Sequence, residues 1–314
     1  MKPRIYIDGA AGTTGLEIHA RLRERSDIEL LMISAGDRKD LQARGRLLNA
    51  ADIAVLCLPD DAAREAVAGI ENPAVRVLDA STAHRTAPGW TYGFPELERG
   101  QRAALGQATR VSNPGCYPTG FLALVRPLTR AGVLPADFPL TVNAVSGYSG
   151  GGRAMIEEFE DKASPRFTGA TMRGYALSLA HKHLPEMQKH AGLVHPPLFA
   201  PSVGRFYRGM MVEVPLQLWA LPGRPTPTAI YDALADAYAQ ESLIEVVPPG
   251  ETPAVLDAEM LKGSDGMKLF VSGNERNGQA RLVAMLDNLG KGASGAAVQN
   301  LNIMLGLPES IGLH

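Results

Sequence analysis

Cysteine is scarce in this 314-residue chain, with Cys57 and Cys116 the only two. Two cysteines cannot build a disulfide framework, and without a supporting His/Cys ladder they do not build a structural zinc site. Both are expected as thiols, and no metal site is expected. An excess of one charge is also lacking, since 31 Lys+Arg stand against 33 Asp+Glu for a formal net charge of −2. With no long Lys/Arg cluster, nucleic acid and anionic membrane are excluded as the main partners. Long apolar runs are missing too: none approaches the roughly 18–20 residues needed to span a bilayer. The opening MKPRIYIDGAAG turns glycine-rich too early for a signal peptide. A soluble cytoplasmic protein is expected. No internal repeat or low-complexity linker divides the chain, and at roughly 150 residues per domain its length suggests two domains.

What is present is an alternation of strands and helices in the first third. RIYI (4–7) reads as a strand, and Leu16, Ile18, Ala20 and Leu22 recur at helical spacing as far as Asp27. Further strands are predicted at 29–34, followed by a polar stretch, at 53–58, followed by a helix from Asp60 to Ala68, and at 75–78, followed by a loop. This order implies a parallel sheet. The remainder looks α+β, with β-rich segments at 139–146, 210–219, 243–247 and 267–272 and few helices between them. The last stretch, 293–307, has small and apolar residues at helical spacing and is expected to pack back onto the first domain. The change of pattern places the boundary near residue 116.

The first chemical motif lies between strand and helix. Asp8-Gly9-Ala10-Ala11-Gly12-Thr13-Thr14-Gly15 spaces its glycines G-x-x-G-x-x-G, a variant of the dinucleotide-binding turn. Such a turn needs a tight bend, close backbone approach to a pyrophosphate and close helix packing. Gly9, Gly12, Thr13, Thr14 and Gly15 are therefore cofactor-binding candidates. The acid expected about 20 positions on, which would hold the ribose 2′-hydroxyl of NAD, is replaced by Ser34-Ala35-Gly36, with Arg38 and Lys39 just after. Ser34, Arg38 and Lys39 suit a 2′-phosphate and favour NADP, although Asp37 keeps NAD open.

The second motif surrounds Cys116. Ser112-Asn113-Pro114-Gly115-Cys116-Tyr117-Pro118-Thr119-Gly120 precedes the apolar run FLALVRPL, and Pro118 suits the first turn of a helix. Cys116 then sits at a helix N-terminus, where free N–H groups and the dipole favour thiolate and hold an oxyanion. Cys57, inside an apolar strand, reads as a buried inert thiol. His19, His190, His195 and His314 read as satisfied or exposed side chains.

The stretch 112–120 resembles the signature of N-acetyl-gamma-glutamyl-phosphate reductases, within the wider semialdehyde dehydrogenase group. The resemblance continues through DASTAHR (79–85), YGFPEL (92–97), SGYSGGG (146–152), HKHLPE (181–186) and DNLGKGA (287–293), in the expected order over nearly the whole chain. The length is that of the shorter of the family's two types. The resemblance implies an α/β fold: a Rossmann-type parallel-sheet NADP-binding domain over 1–116 and 291–314, and an α+β catalytic and oligomerisation domain of the glyceraldehyde-3-phosphate dehydrogenase-like type over 117–290. It implies reduction of N-acetyl-glutamyl 5-phosphate by NADPH to the 5-semialdehyde with release of phosphate, a step of arginine biosynthesis, through a thioester on Cys116.

An acid/base is needed, and His181 and His183 are its candidates, with the choice between them open and Glu186 in an orienting role. The helix predicted from Leu184 to near Gly192 places His183 at its N-terminus. Ser81, Arg85 and Asn113 are candidate phosphate ligands, and Tyr148 and Ser149 candidate substrate contacts. Asn288 and Gly292 lie before a helix expected from about Ala293, whose N–H groups would face the nicotinamide. A homo-oligomer, dimer or tetramer, is expected. The rivals are another acyl-phosphate reductase, such as aspartate-semialdehyde dehydrogenase or the amino-adipyl enzyme of lysine synthesis, a cofactor-free thiol hydrolase or acyltransferase, and a catalytically dead dinucleotide-binding regulator.

Overall fold

The computed structural model describes residues 2–314. The chain divides into two compact units, one containing the residues up to Pro95, Gly100–Gly115 and Ala293–His314, the other Glu96–Arg99 and Cys116–Gly292. The first unit runs β1 (Arg4–Asp8), α1 (Thr13–Leu22), β2 (Glu29–Leu31), α2 (Leu41–Ala50), β3 (Ile53–Leu56), α3 (Asp60–Ala68), β4 (Arg76–Asp79), β5 (Thr91–Tyr92), α4 (Gln101–Gln107) and β6 (Arg110–Ser112). Its strands form one parallel sheet in the order β2-β1-β3-β4-β6-β5. Burial on both faces makes β3 a continuous apolar run instead of an alternating one. Ile5, Ile7, Val55 and Leu78 join one core with Val298 and Leu301 of the C-terminal helix, Gly295–Leu305, while Tyr6, Ala54, Leu56 and Val77 join another. Neighbouring strand residues thus point to opposite faces.

The polar stretch after β2 proves to contain α2, which buries only Ala43 and Leu48. It is set by its cap: the Asp40 carboxylate accepts from the N–H groups of Gln42 at 2.8 Å and Ala43 at 3.2 Å. Helix α1 stops at Leu22, short of Asp27, and α4 follows Gly100, whose φ of +89° a side chain rarely adopts. At Gly9, φ is +86° and a Cβ would collide with the Cys57 carbonyl. Gly9→Ala should therefore cost about 2–4 kcal/mol, from left-handed strain and the collision together. Urea unfolding checks this, and an unchanged midpoint would contradict the packing described.

The second unit holds α5 (Cys116–Arg130), β7 (Thr141–Gly147), α6 (Gly152–Glu160), β8 (Met172–Gly174), α7 (Leu184–Ala191), β9 (Leu198–Gly204), β10 (Met210–Gln217), α8 (Pro227–Tyr238), β11 (Ile244–Val246), β12 (Met267–Asn274) and β13 (Gln279–Leu286). Its mixed sheet has the order β11-β12-β13-β10-β7-β9-β8. The pairs β7/β9 and β11/β12 are parallel and the others antiparallel. Helix α5 packs on β10 and β13, and Gly120 lets it come close, since a Cβ there would stand 2.9 Å from a Val212 methyl. More helices interrupt this unit than the sequence pattern suggests. One of them, α8, starts by local chemistry: the Thr226 hydroxyl accepts from the Ala229 N–H at 3.1 Å and Pro227 fills the first position.

Candidate active site

In the first unit, the glycine turn ends in an uncapped helix. No side chain caps α1 at Gly12, so its first N–H groups, those of Thr13 and Thr14 among them, form an anion cradle. A Cβ at Gly15 would strike the Gly9 carbonyl, which makes that glycine a packing requirement. Gly12 differs, because a Cβ there would stand 3.6 Å from the Gly9 carbonyl oxygen, an ordinary contact. The protein's own packing does not demand glycine at Gly12, and the bare Cα there leaves the helix start open to an anionic group. These residues therefore fit a dinucleotide pyrophosphate. Beyond β2, the Ser34 hydroxyl donates to Asp37 at 2.8 Å, and Arg38 and Lys39 are exposed on a 3-10 turn. Arg38 lines a pocket with Ala10, Leu16 and Ile33. Asp8, buried at the end of β1, is held by Arg44 at 2.8 Å.

The expected phosphate ligands of this unit are buried and partnered within it. Ser81 donates through its hydroxyl to Asp79 at 2.7 Å. Asn113 donates to the Ala293 carbonyl at 3.0 Å and accepts from Asn300 at 3.0 Å. Arg85 donates to the carbonyls of Asn113 at 2.9 Å and Ala80 at 3.1 Å. Ser81, Asn113 and Arg85 thus all take part in framing the loop. His84 was missed by sequence reasoning. Its Nδ1 lies 2.6 Å from Asp79 and its ring stacks on Trp90 with centroids 4.0 Å apart. The Asp-x-Ser-x-x-His spacing at the end of a buried strand was the available signal. Burial pushes the Cys57 thiol up to about 12, with Asp79 and Asp8 adding to the effect, which keeps it a protonated, unreactive group.

In the second unit, Cys116 is the first residue of α5, a fifteen-residue helix. The bare Cα of Gly292 lies against it, since a Cβ on Gly292 would stand 2.8 Å from the Cys116 Cβ. Next in the chain, the buried Tyr117 donates to the Ser202 carbonyl at 3.1 Å and accepts from the Tyr175 hydroxyl at 3.2 Å. His181 Nε2 lies 3.5 Å from the Tyr175 oxygen, and His181 Nδ1 accepts the His183 N–H at 3.1 Å. That N–H fixes the tautomer: Nδ1 is an acceptor, so the proton of neutral His181 sits on Nε2. Burial, helped by the Lys182 charge, lowers His181 from 6.5 to about 4. Burial also raises Tyr175 to about 12 and Tyr117 well above its usual range, keeping both phenols neutral. His183 is buried at the start of α7, its ring centroid 4.7 Å from that of His181. The structure thus brings together both predicted histidines and two tyrosines to which the sequence reading gave no role. Tyr175, only six residues before His181, was the overlooked signal.

The glycine-rich turn after β7 and the segment 287–292 differ from expectation. The Tyr148 hydroxyl donates to Glu160 at 2.9 Å and its ring stacks on Phe159 at 5.0 Å. Ser149 is buried and accepts from Asn288 at 2.9 Å, while Asn288 accepts the Gly209 N–H at 2.8 Å. These side chains serve the framework, so direct substrate contact by Tyr148 and Ser149 is not what their partners indicate. The N–H groups of the residues just before the expected helix are also taken up within the segment. Those of Leu289 and Gly290 go to the Asp287 carboxylate, at 2.8 and 3.3 Å, and that of Gly292 goes to the Asp287 carbonyl at 2.9 Å. The segment continues as a π-helical turn, Gly290–Ser294, before the C-terminal helix.

Comparison with known proteins agrees with this division. Residues 4–105 match the semialdehyde dehydrogenase NAD binding domain, and residues 116–288 match the semialdehyde dehydrogenase dimerisation domain. Among solved structures, aspartate semialdehyde dehydrogenase II from Vibrio cholerae superposes with a TM-score of 0.71 at 17% identity, covering 98% of this chain and 99% of that one. The Candida albicans aspartate semialdehyde dehydrogenase gives 0.67 at 13% identity, over 99% of this chain and 100% of that one. At such identities the likeness is one of fold. Sequence relatives are far nearer. The chain is 54% identical to N-acetyl-gamma-glutamyl-phosphate reductase 2 of Nostoc sp., with 99% of both chains covered. It is 55% identical to the N-acetyl-gamma-glutamyl-phosphate reductase of Brucella anthropi, over 98% of this chain and 99% of that one. Among the described residues no helix is long and apolar enough to cross a membrane, and no cluster of His, Cys, Asp and Glu could hold a metal. A nicotinamide-binding unit of parallel strands, a mixed-sheet unit that opens on Cys116, and near-full-length identity above one half together make this chain a member of the N-acetyl-gamma-glutamyl-phosphate reductase family of semialdehyde dehydrogenases.

Proposed function

We propose that this chain reduces N-acetyl-glutamyl 5-phosphate to N-acetyl-glutamate 5-semialdehyde with release of phosphate, in the cytoplasm, as a homo-oligomer joined through the second unit. The observation that carries this reading is Cys116 at the first position of α5, in the same unit as the hydrogen-bonded set His183, His181, Tyr175 and Tyr117. The Cys116 thiolate attacks the acyl carbon, the carbon–oxygen bond to phosphate breaks, and phosphate leaves with that electron pair. A thioester remains on Sγ, and N–H groups at the start of α5 stabilise the oxyanion on the way. The nicotinamide cofactor, when bound, supplies the hydride that reduces the thioester carbon. The tetrahedral alkoxide then collapses, the carbon–sulfur bond breaks, and the thiolate is regenerated as the aldehyde departs.

His183 is assigned the proton transfers. The acceptor nitrogen of His181 is occupied by the His183 N–H, leaving His181 a donor through Nε2. Arg85 is assigned to phosphate, with Ser81 and Asn113 shaping its loop. The deciding assay runs the reaction backwards, as phosphate-dependent reduction of NADP by N-acetyl-glutamate semialdehyde, compared with aspartate semialdehyde. Preference for the acetylated substrate is expected, and preference for aspartate semialdehyde overturns the substrate assignment.

The cofactor is proposed to be NADP, supported by Arg38 and Lys39 after β2 and by the place of Arg38 at the pocket edge. NADP should bind more tightly than NAD, and neutralising Arg38 and Lys39 together should erase most of the preference. Charge-assisted phosphate contacts contribute roughly 1.5–3 kcal/mol each, which for one contact is more than a factor of ten. Equal Michaelis constants for NADP and NAD in the unaltered protein would defeat this assignment.

A further inference from the structure

Next to Gly292 stands a buried ion pair to which the mechanism gives no role. Lys291 Nζ lies 2.7 Å from Glu96 Oε1, with the two side chains 2% and 0% exposed. They lie 195 residues apart in the sequence yet belong to the same unit. A buried pair of this kind is a poor source of stability, because desolvating both charges offsets most of their attraction. Its surroundings suggest another use. Lys291 lies in the π-helical turn Gly290–Ser294, a rare conformation that recurs at functional sites. The turn is anchored on its other side by Asp287, whose fully buried carboxylate accepts from Arg208 at 2.6 Å and from the N–H groups of Gly263, Leu289 and Gly290. Gly290 is pressed against Ser264 and Asp265. Immediately after these anchors the chain presents the bare Cα of Gly292 to Cys116.

We infer that the Glu96–Lys291 pair is a positioning device for the nucleophile: it holds the turn 290–294 so that Gly292 abuts Cys116 and confines the thiol to its attacking orientation. Both residues are positioning residues, acting through Gly292. The inference rests on Cys116 as the nucleophile and extends that assignment to the elements that aim it. A backbone shift of about 1 Å at a reacting group can cost roughly a hundredfold in rate. Glu96→Gln, which removes the charge and keeps the shape, should therefore lower kcat by about ten- to a hundredfold with KM nearly unchanged.

Two further variants separate positioning from folding. Replacing both partners, Glu96→Met with Lys291→Met, leaves no buried charge alone, so the thermal midpoint should return to that of the unaltered protein. The loss in kcat should persist. Gly292→Ala leaves the pair intact but drives a methyl into Cys116. In every variant the alkylation of Cys116 by iodoacetamide, followed by mass spectrometry, should slow in parallel with kcat. This readout needs no substrate, so it reports on the inference even if the assigned acyl phosphate proves wrong. A double-Met protein with the original midpoint, kcat and alkylation rate would overturn the inference, as would Gly292→Ala with an unaltered alkylation rate.

Discussion

Cys116→Ala should abolish turnover, with a loss of at least about 10⁴-fold, while NADPH affinity stays within about twofold of the unaltered protein. The two effects separate because the uncapped helix start that fits the cofactor belongs to one unit and Cys116 to the other. Cys116→Ser should be nearly as inactive, since a hydroxyl at a helix start lacks the thiolate's nucleophilicity at neutral pH. Cys57→Ser should keep the chemistry, because burial holds the Cys57 thiol near 12 and protonated. Steady-state assays with a fluorescence titration of NADPH check all three proteins. Substantial turnover by Cys116→Ala would remove the nucleophile assignment, whereas loss of NADPH binding in that protein would mean that the substitution had disturbed more than the reacting sulfur.

What was legible in the sequence was local chemistry. Gly9 and Gly15 stand where backbone geometry excludes a side chain, and a turn between a strand and a helix announces them within eight residues. Cys116 was legible because the residues around it specify a helix start. The first four strands of the first unit, with α1 and α3, followed from period alone, yet α2 escaped because its signal is the Asp40 cap and its apolar face is thin, and the short β5, α4 and β6 were not read at all. Less legible was the employment of a polar side chain once the chain has folded. Asn113, Ser81, Ser149 and Asn288 have the donors and acceptors a substrate needs, but Ala293, Asn300, Asp79 and Gly209 claim them or their neighbours. Those partners come together only in three dimensions. Glu96 and Lys291 illustrate the same limit from the other side, since nothing in either local sequence names its distant partner.

Histidine chemistry gives the second large effect. His183→Asn or Gln should lower kcat by roughly 10²–10⁴-fold with a smaller change in KM, and should flatten the acidic limb of the pH–rate profile. His181→Asn should be milder. The His181 Nδ1 already accepts the His183 N–H, so the ring cannot take a proton there without breaking that bond, and its Nε2–H faces Tyr175. Loss of that ring should loosen Tyr175 and the loop before α7 more than it impairs proton transfer. Stability supplies an independent check on the same ring. Burial lowers His181 from 6.5 to about 4, so between those values the unfolded chain binds a proton that the folded chain refuses. Folding stability should consequently fall as pH drops from 6.5 toward 4, and His181→Asn should make that fall shallower. Thermal unfolding across this range, together with pH–rate series on both single variants, tests the division of labour. If His181→Asn carries the larger kinetic loss, the proton-transfer role passes to His181. If each variant keeps the original rate and acidic limb, the base lies outside the pair.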